Sequence, residues 1–541
     1  MGLIRTHVCL RCTKINNSQC PQTSTDWSTV RKRTSTLAAA LLALATVLPV
    51  SMFSTAEAAT TPADKSTIAW APCEEEPSAE CGKLTVPIDW SKPDGDKIDL
   101  ALARRKATDP SARVGSLVIN PGGPGGSGVE AVYGAPGSYT EELQKRFDIV
   151  GFDPRGVGRS HPVICSASVY NQMPQTVMRS QADFAAWDAF TKKLHPDCRA
   201  RTGPLYDFVD SRSVARDMDA LRAALGEQKL TFYGISYGTL MGQMYAELFP
   251  NNIRALALDS NMDHSLGAAG FLATEAIAVE DAFDQMIGWC EQDESCVLHG
   301  KDIRKMWKDL LTKARNGELD YPPGSGKKMT EIQVIYNAAL GTEGPDWRTL
   351  SEVINWLSGG KEPSWIPPLP GRGPVQGDTA ELPTRILCQD YNLGVRSYAE
   401  YAAYMKVSNA LAKDVRYHPY PYDDLPICMN SKPVNPPHRL KYTGSAPILL
   451  GSSLHDPATP YVWSAHVTRQ LGSKAVLLTY EGWGHRIYGK DKCQTDIIDE
   501  YLISLKTPPP GTRCAVGTFK DGLRKSTTEP RAWPTDKLNW G

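Results

Sequence analysis

A serine framed as Gly234-Ile235-Ser236-Tyr237-Gly238 sits where an apolar, aromatic run gives way to helical periodicity, within residues 230–250 (LTFYGISYGTLMGQMYAELFP). Strand, sharp turn and helix in that order hold a serine strained at a helix N-terminus with its hydroxyl exposed. Glycines at 234 and 238 let the chain bend that tightly. The plainer alternative is a buried strand–helix junction with an incidental serine. A hydroxyl is a poor nucleophile: it needs a base within hydrogen-bond reach, and the base needs an acid to orient it. In serine hydrolases built on this turn the chain order is serine, acid, histidine. That order selects Asp456, in His455-Asp456-Pro457-Ala458-Thr459-Pro460, and His485, in Gly482-Trp483-Gly484-His485. Asp456 follows one expected strand and precedes a helix, and His485 lies on the loop after the next strand. Asp259, straight after the strand that follows the serine turn, is a second candidate acid. Of ten histidines only His455 and His485 lie at late strand ends, and His455 points elsewhere if Asp456 points inward. Negative charge developing on a carbonyl oxygen needs backbone N–H donors. Tyr237, next after the serine, offers one. The loop Pro121-Gly122-Gly123-Pro124-Gly125-Gly126-Ser127-Gly128 offers the other, from Gly123 or Gly122. That loop lacks the G-K-[ST] ending of a phosphate loop and has no acidic ribose partner at dinucleotide spacing. No metal and no cofactor is called for.

These residues require a scaffold of strands ending side by side. Residues 83–90 and 97–107 predict an antiparallel pair around Pro93-Asp94-Gly95. Short apolar strands are expected at 116–120, 147–152, 255–258, 447–452 and 475–480, with helices at 213–225, 459–471 and 495–505. Alternating strands and helices argue for an α/β fold, a mostly parallel sheet with helices on both faces. The pattern changes at about 265–440, where helical stretches (274–289, 302–314, 330–340) alternate with Pro/Gly-rich loops such as 365–377. This reads as an inserted, mainly helical cap. The expected divisions are a presequence (1–58), a first part of the core (59–264), the cap (265–440), and a second part of the core with a polar tail containing Trp533 and Trp540 (441–541). Asp153-Pro154-Arg155-Gly156 reads as a structural loop held by an Arg–carboxylate contact.

Residues 1–58 are read as a targeting segment. Arg31-Lys32-Arg33 precede an apolar run at 37–53 and an Ala56-Glu57-Ala58 site, the layout of a secretory signal cleaved after Ala58. The run is short for a spanning helix, so no stable membrane association is expected and the protein is read as secreted. Cys9, Cys12 and Cys20 precede the cleavage point and are given no mature role. The other ten cysteines, 73, 81, 165, 198, 290, 296, 388, 428, 493 and 514, form an even set suited to disulfides in an exported chain. Neighbour pairing is one of the possible connectivities. With a net charge of −1 over 541 residues, no basic field points to nucleic acid.

The motifs NPGGPGGSG (120–128), GFDPRGVGRS (151–160), GISYGT (234–239), HDPATP (455–460) and GWGH (482–485) occur in one order. In that order the chain resembles secreted actinomycete tripeptidyl aminopeptidases, of the proline iminopeptidase family of α/β-hydrolases. The likeness spans about residues 73–514. It implies an α/β-hydrolase core with a helical cap and a triad of Ser236, Asp456 and His485. The glycine loop departs from the iminopeptidase form, with Asn-Pro ahead of Gly-Pro-Gly where His-Gly is usual. The likeness also implies a peptide substrate with a free N-terminus, its ammonium held by cap carboxylates. Glu275, Glu280, Asp281 and Asp390 are candidates, with Glu280 and Asp390 preferred. A solvated helix face is the alternative for each. Two rival readings are a secreted carboxylesterase using the same triad on small esters, and a catalytically inert binding protein on this scaffold.

Overall fold

The computed structural model describes residues 68–371 and 373–516. The targeting segment, the Ala58 site, Cys9, Cys12, Cys20 and the tryptophans of the tail lie outside the described residues. The described residues form twelve strands: β1 (Ala71–Pro72), β2 (Glu80–Pro87), β3 (Lys97–Arg105), β4 (Gly115–Asn120), β5 (Phe147–Phe152), β6 (Ile164–Ser166), β7 (Leu230–Ile235), β8 (Ile253–Asp259), β9 (Thr379–Glu381), β10 (Ile448–His455), β11 (Ala475–Trp483) and β12 (Arg513–Cys514). Ten of them make one sheet, in the order β1-β2-β3-β5-β4-β7-β8-β10-β11-β12. The first three join antiparallel, and every pairing from β5 to β12 is parallel. The short β6 and β9 form a separate antiparallel pair.

The centre of the sheet is apolar on both faces, as a parallel sheet covered on both sides must be. β4 and β5 are buried throughout. Successive residues alternate between two buried clusters: Leu117, Ile119, Tyr233, Ala255 and Ala257 face one, and Val118, Phe232, Leu256 and Leu258 face the other. The α/β-hydrolase architecture expected from the sequence is therefore present. The expected helices appear as Ser211–Ala224, Ala268–Gln292, Ile303–Arg315, Glu331–Glu343, Tyr461–Leu471 and Lys492–Ser504.

Several helices were not foreseen, among them Gln181–Thr202, Trp347–Leu357, Thr384–Asp390, Tyr398–Leu411 and Pro419–Ile427. The last reads PYPYDDLPI, a run that looks like a loop. Pro419 and Pro421 fall in its first turn, where a missing N–H costs nothing because no intrahelical partner exists. Between β8 and β10 the chain adds no strand to the ten-stranded sheet. Helices dominate there.

All five neighbour pairs are disulfides: Cys73–Cys81, Cys165–Cys198, Cys290–Cys296, Cys388–Cys428 and Cys493–Cys514. Arg155 has a structural role through a more distant carboxylate than its loop suggested. Its guanidinium forks onto Asp217, at 2.7 and 2.6 Å, and also donates to the carbonyls of Pro87, Ile88 and Phe208. Both side chains of the pair are fully buried. Asp153 instead fixes the glycine-rich loop, accepting from Ser127, from Val129 N and from Arg159 N. Asp217→Ala leaves a buried guanidinium without its partner and should lower unfolding stability by about 3–5 kcal/mol, read as a shift in the urea midpoint.

Candidate active site

The turn at Ser236 is built by close approach. β7 ends at Ile235 and the helix Tyr237–Leu248 begins two residues later, leaving Ser236 at φ 55°, ψ −125°. Its N–H donates to the Asp259 carbonyl at 2.9 Å, and Thr239 returns its hydroxyl to the Ser236 carbonyl at 2.6 Å. At Gly238 a Cβ would meet Asn120 Oδ1 at 2.7 Å. At Gly122, itself at φ +92°, it would meet the Ile235 carbonyl at 2.5 Å and Ser236 Cβ at 2.8 Å. The glycine loop therefore lies directly against the serine turn, which no side chain at those positions would allow. Asn120 Oδ1 accepts the Gly122 N–H at 2.9 Å and fixes the loop's first residue.

Asp456 and His485 meet where β10 and β11 end. His485 Nδ1 lies 3.0 Å from both Asp456 oxygens. The buried carboxylate also accepts from Ala458 N and Thr459 N at 2.9 Å, Ser260 Oγ at 2.8 Å and Thr459 Oγ1 at 3.0 Å. Burial works against its charge, yet the His485 ring and these hydrogen bonds hold Asp456 below the usual carboxylate range. Burial likewise disfavours the charged imidazole, but Asp456, followed by Glu343 and Asp259, raises His485 above the ordinary histidine value. Ser236 Oγ and His485 Nε2 have no hydrogen-bond partner among the described residues.

Asp259, the alternative acid, makes different contacts. Its carboxylate accepts from Ile487 N at 2.9 Å, Tyr488 N at 3.0 Å and the Tyr233 hydroxyl at 2.7 Å, with no bond to His485. It anchors the backbone of the histidine loop. Ser260, at φ 62°, receives the Arg486 N–H at 2.9 Å while donating to Asp456, so one hydroxyl spans the acid and the histidine loop. Neither Ser260 nor Thr459 was singled out from the sequence. Their only signal was adjacency to the candidate acids. His455 points away from the pair, bonding Asp281 at 2.7 Å and stacking on Trp483, whose indole N–H reaches Gln285 Oε1 at 3.0 Å. The helix Ala268–Gln292 thus grips both the acid loop and the histidine loop.

The preferred ammonium-binding carboxylates are not at the cleft. Glu280 accepts from Asp414 N and Val415 N at 2.8–3.2 Å and serves as a cap inside the helical segment. Asp390 has no exposure and is surrounded by protein donors; burial, followed by the Asp210 charge, pushes it up to about 7. Of the other two candidates, Asp281 pairs with His455. Glu275 is buried with Oε2 unpartnered, and burial, then Asp424 and Asp456, raises it well above the carboxylate range.

A cavity of about 380 Å³ opens beside Gly123 and Pro124. Apolar groups from Leu340, Leu350, Val353, Trp365 and the 367–370 prolines form much of its wall. Asp346, Asp423 and Asp424 add carboxylates to it. Ser236, Asp456 and His485 do not line it; it joins the site through the glycine loop. Tyr336 donates its hydroxyl to Asp423, Thr384 reaches Asp424 at 2.8 Å, and Tyr420 reaches Glu343 Oε2 at 2.7 Å. The DD pair on Pro419–Ile427 escaped the sequence reading because that proline-rich run was not expected to be a helix facing the glycine loop.

A strained serine at a strand–helix turn, a histidine–carboxylate pair at neighbouring strand ends and this sheet define a serine hydrolase. The chain belongs to the alpha/beta hydrolase fold family, whose pattern matches residues 115–490. It is 32% identical over 488 residues to serine protease Hip1 of Mycobacterium tuberculosis, across 83% of this chain and 91% of that protein. The tripeptidyl aminopeptidase of Streptomyces lividans is 28% identical over 460 residues, across 81% and 83% of the two chains. Carboxylesterase B of M. tuberculosis is 28% identical over 475 residues, across 81% and 86%. The likeness to actinomycete peptidases seen in the motifs therefore extends over most of the chain.

Two outcomes are expected. Asp456→Asn should lower kcat by about 10⁴-fold, whereas Asp259→Asn should mainly lower thermal stability. A base must be neutral to accept a proton, and Asp456 favours the charged ring. Activity should therefore be lost as pH falls through a value above 6.5. A kcat/KM profile with its acidic limb below 6.5 would contradict this.

Proposed function

We propose that the protein is an exported serine exopeptidase that releases short peptides, tripeptides above all, from free N-termini. Ser236 attacks the scissile carbonyl while His485 takes its proton, and Asp456 orients the ring and stabilises its charged form. The amides of Tyr237 and Gly123 hold the developing oxyanion. His485 then protonates the leaving amine, and water, activated by the same histidine, releases the peptide from the acyl-enzyme. The chemistry uses side chains and backbone amides alone.

The observation that carries this reading is the acidic wall beside Gly123. Asp423, Asp424 and Asp346 line the cavity. Carboxylates that border an apolar cleft suit a ligand whose cationic end can pair with them. A peptide's α-ammonium would do so, and a neutral ester would not. Asp423 and Asp424 replace Glu280 and Asp390 as the ammonium ligands in this proposal. The relatives named serine protease and tripeptidyl aminopeptidase agree with it. The largely apolar wall and the relative named carboxylesterase B favour, as second reading, hydrolysis of small esters. Export is supported by the targeting segment and five disulfides, and no helix among the described residues is long and apolar enough to cross a membrane.

The test compares mono-, di- and tripeptidyl chromogenic amides, each with a free or acetylated N-terminus, alongside a short acyl ester. Cleavage should require the free amine and peak at the tripeptide. Asp424→Asn should raise KM for free-amine substrates at least ~10-fold with kcat little changed, and should spare the ester. Indifference to acetylation, with esters turned over faster than amides, would move the reading to an esterase.

A further inference from the structure

Asp390 ends the helix Thr384–Asp390, behind the serine turn, with no solvent exposure. Four groups donate to its carboxylate: the Tyr237 hydroxyl, Ser211 N at 3.1 Å, Ser211 Oγ at 2.7 Å and Asn435 Nδ2 at 2.8 Å. Tyr237 is the residue whose main-chain N–H stands first in the oxyanion hole, and its own side chain is 1% exposed. Its hydroxyl has one proton to give, and the other acceptor within reach, the Ile386 carbonyl, is distant at 3.4 Å. The phenol–carboxylate bond therefore tethers the oxyanion residue from the side opposite the substrate.

Stability alone gives no reason for this arrangement. Taking a carboxylate out of water costs several kcal/mol before its partners compensate, and phenylalanine with an apolar neighbour would fill the same space. The same short helix also meets the other half of the oxyanion hole. Pro383, at its start, packs on the glycine loop so closely that a Cβ on Gly125 would lie 2.8 Å from Pro383 Cβ. Its far end is bridged by Cys388–Cys428 to the end of the helix that bears Asp423 and Asp424. One rigid element thus touches both segments that supply oxyanion donors. Oxyanion donors act only when held 2.7–3.1 Å, to within a few tenths of an ångström, from where the charge develops.

We propose that Asp390 is a positioning residue for catalysis: through the Tyr237 hydroxyl it fixes the Tyr237 amide in the oxyanion hole. The proposal rests on the reading of Ser236 as nucleophile. Tyr237→Phe deletes the tether and keeps the amide, and Asp390→Asn keeps the shape but weakens the acceptor. Both are compared with wild type in the full mature protein, with rates expressed per site labelled by a fluorophosphonate. A peptidyl trifluoromethyl ketone, which forms a tetrahedral oxyanion on the nucleophile, serves as transition-state probe.

Each variant should lose roughly 10- to 30-fold in kcat, less than the ~10²–10³ expected for losing a donor outright, with KM within about twofold. The ketone's Ki should rise by the same factor, and the double variant should lose no more than either single one. A merely structural role would lower melting temperature and the labelled fraction without changing kcat per labelled site or Ki. That outcome for Tyr237→Phe overturns the proposal, even if Asp390→Asn does not fold. A raised KM at constant kcat also overturns it and returns Asp390 to substrate binding. An inert, unlabelled wild type would overturn the serine-hydrolase mechanism itself, which an active wild type with unaffected variants would not.

Discussion

The backbone at Ser236 is the constraint on which the rest depends. A non-glycine residue at φ 55°, ψ −125° carries strain of about 1–3 kcal/mol and persists only where its surroundings leave no alternative. Here the surroundings are specific. The Ser236 N–H is taken by Asp259 on the neighbouring strand, Gly238 lies against Asn120 at the end of β4, and Gly122 lies over the serine itself. The ends of β4 and β8 are thus locked to the turn. The resulting conformation presents the hydroxyl and leaves the Tyr237 amide at the open start of a helix.

The end of β8 links Ser236 to Asp456 and His485. β7 pairs with β8, β8 with β10, and β10 with β11, so serine, acid and histidine arise from strands separated by a single intervening one. That intervening strand ends in Asp259, and Ser260 follows it. Asp259 binds the turn through its carbonyl and the histidine loop through its carboxylate. Ser260 binds the acid and the histidine loop through one hydroxyl. Neither bonds His485 directly, yet together they fix where its ring can lie. The anionic surroundings keep that ring basic despite its burial.

The helices between β8 and β10 act on the site from the other side. Ala268–Gln292 holds the acid and histidine loops through Asp281–His455 and Gln285–Trp483. Thr384–Asp390 and Pro419–Ile427, joined by a disulfide, border the glycine loop, with Asp423 and Asp424 facing the cavity. The segment therefore both braces the catalytic loops and shapes the chamber that a substrate would enter.

Much of this was legible in the residues. The alternating strands and helices, the serine turn between Gly234 and Gly238, the glycine loop and the late Asp456 and His485 all rest on short-range patterns. Period, turn chemistry and chain order express these locally. Even the disulfides follow nearest neighbours in the chain. The contacts of the carboxylates do not. Glu280, Asp390, Asp423 and Asp424 are equally acidic on paper, and the two favoured from sequence are bound to backbone amides or buried behind Tyr237, while the two in a proline-rich run face the cleft. Ser260 and Thr459 were likewise ordinary hydroxyls until folding brought them to Asp456. The sequence by itself determined the sheet, the turn and the order of the reactive groups, because those are written in local geometry. Only the tertiary structure decided which charges line the cavity and which hold the frame, because a carboxylate's surroundings are set by neighbours tens to more than a hundred residues away.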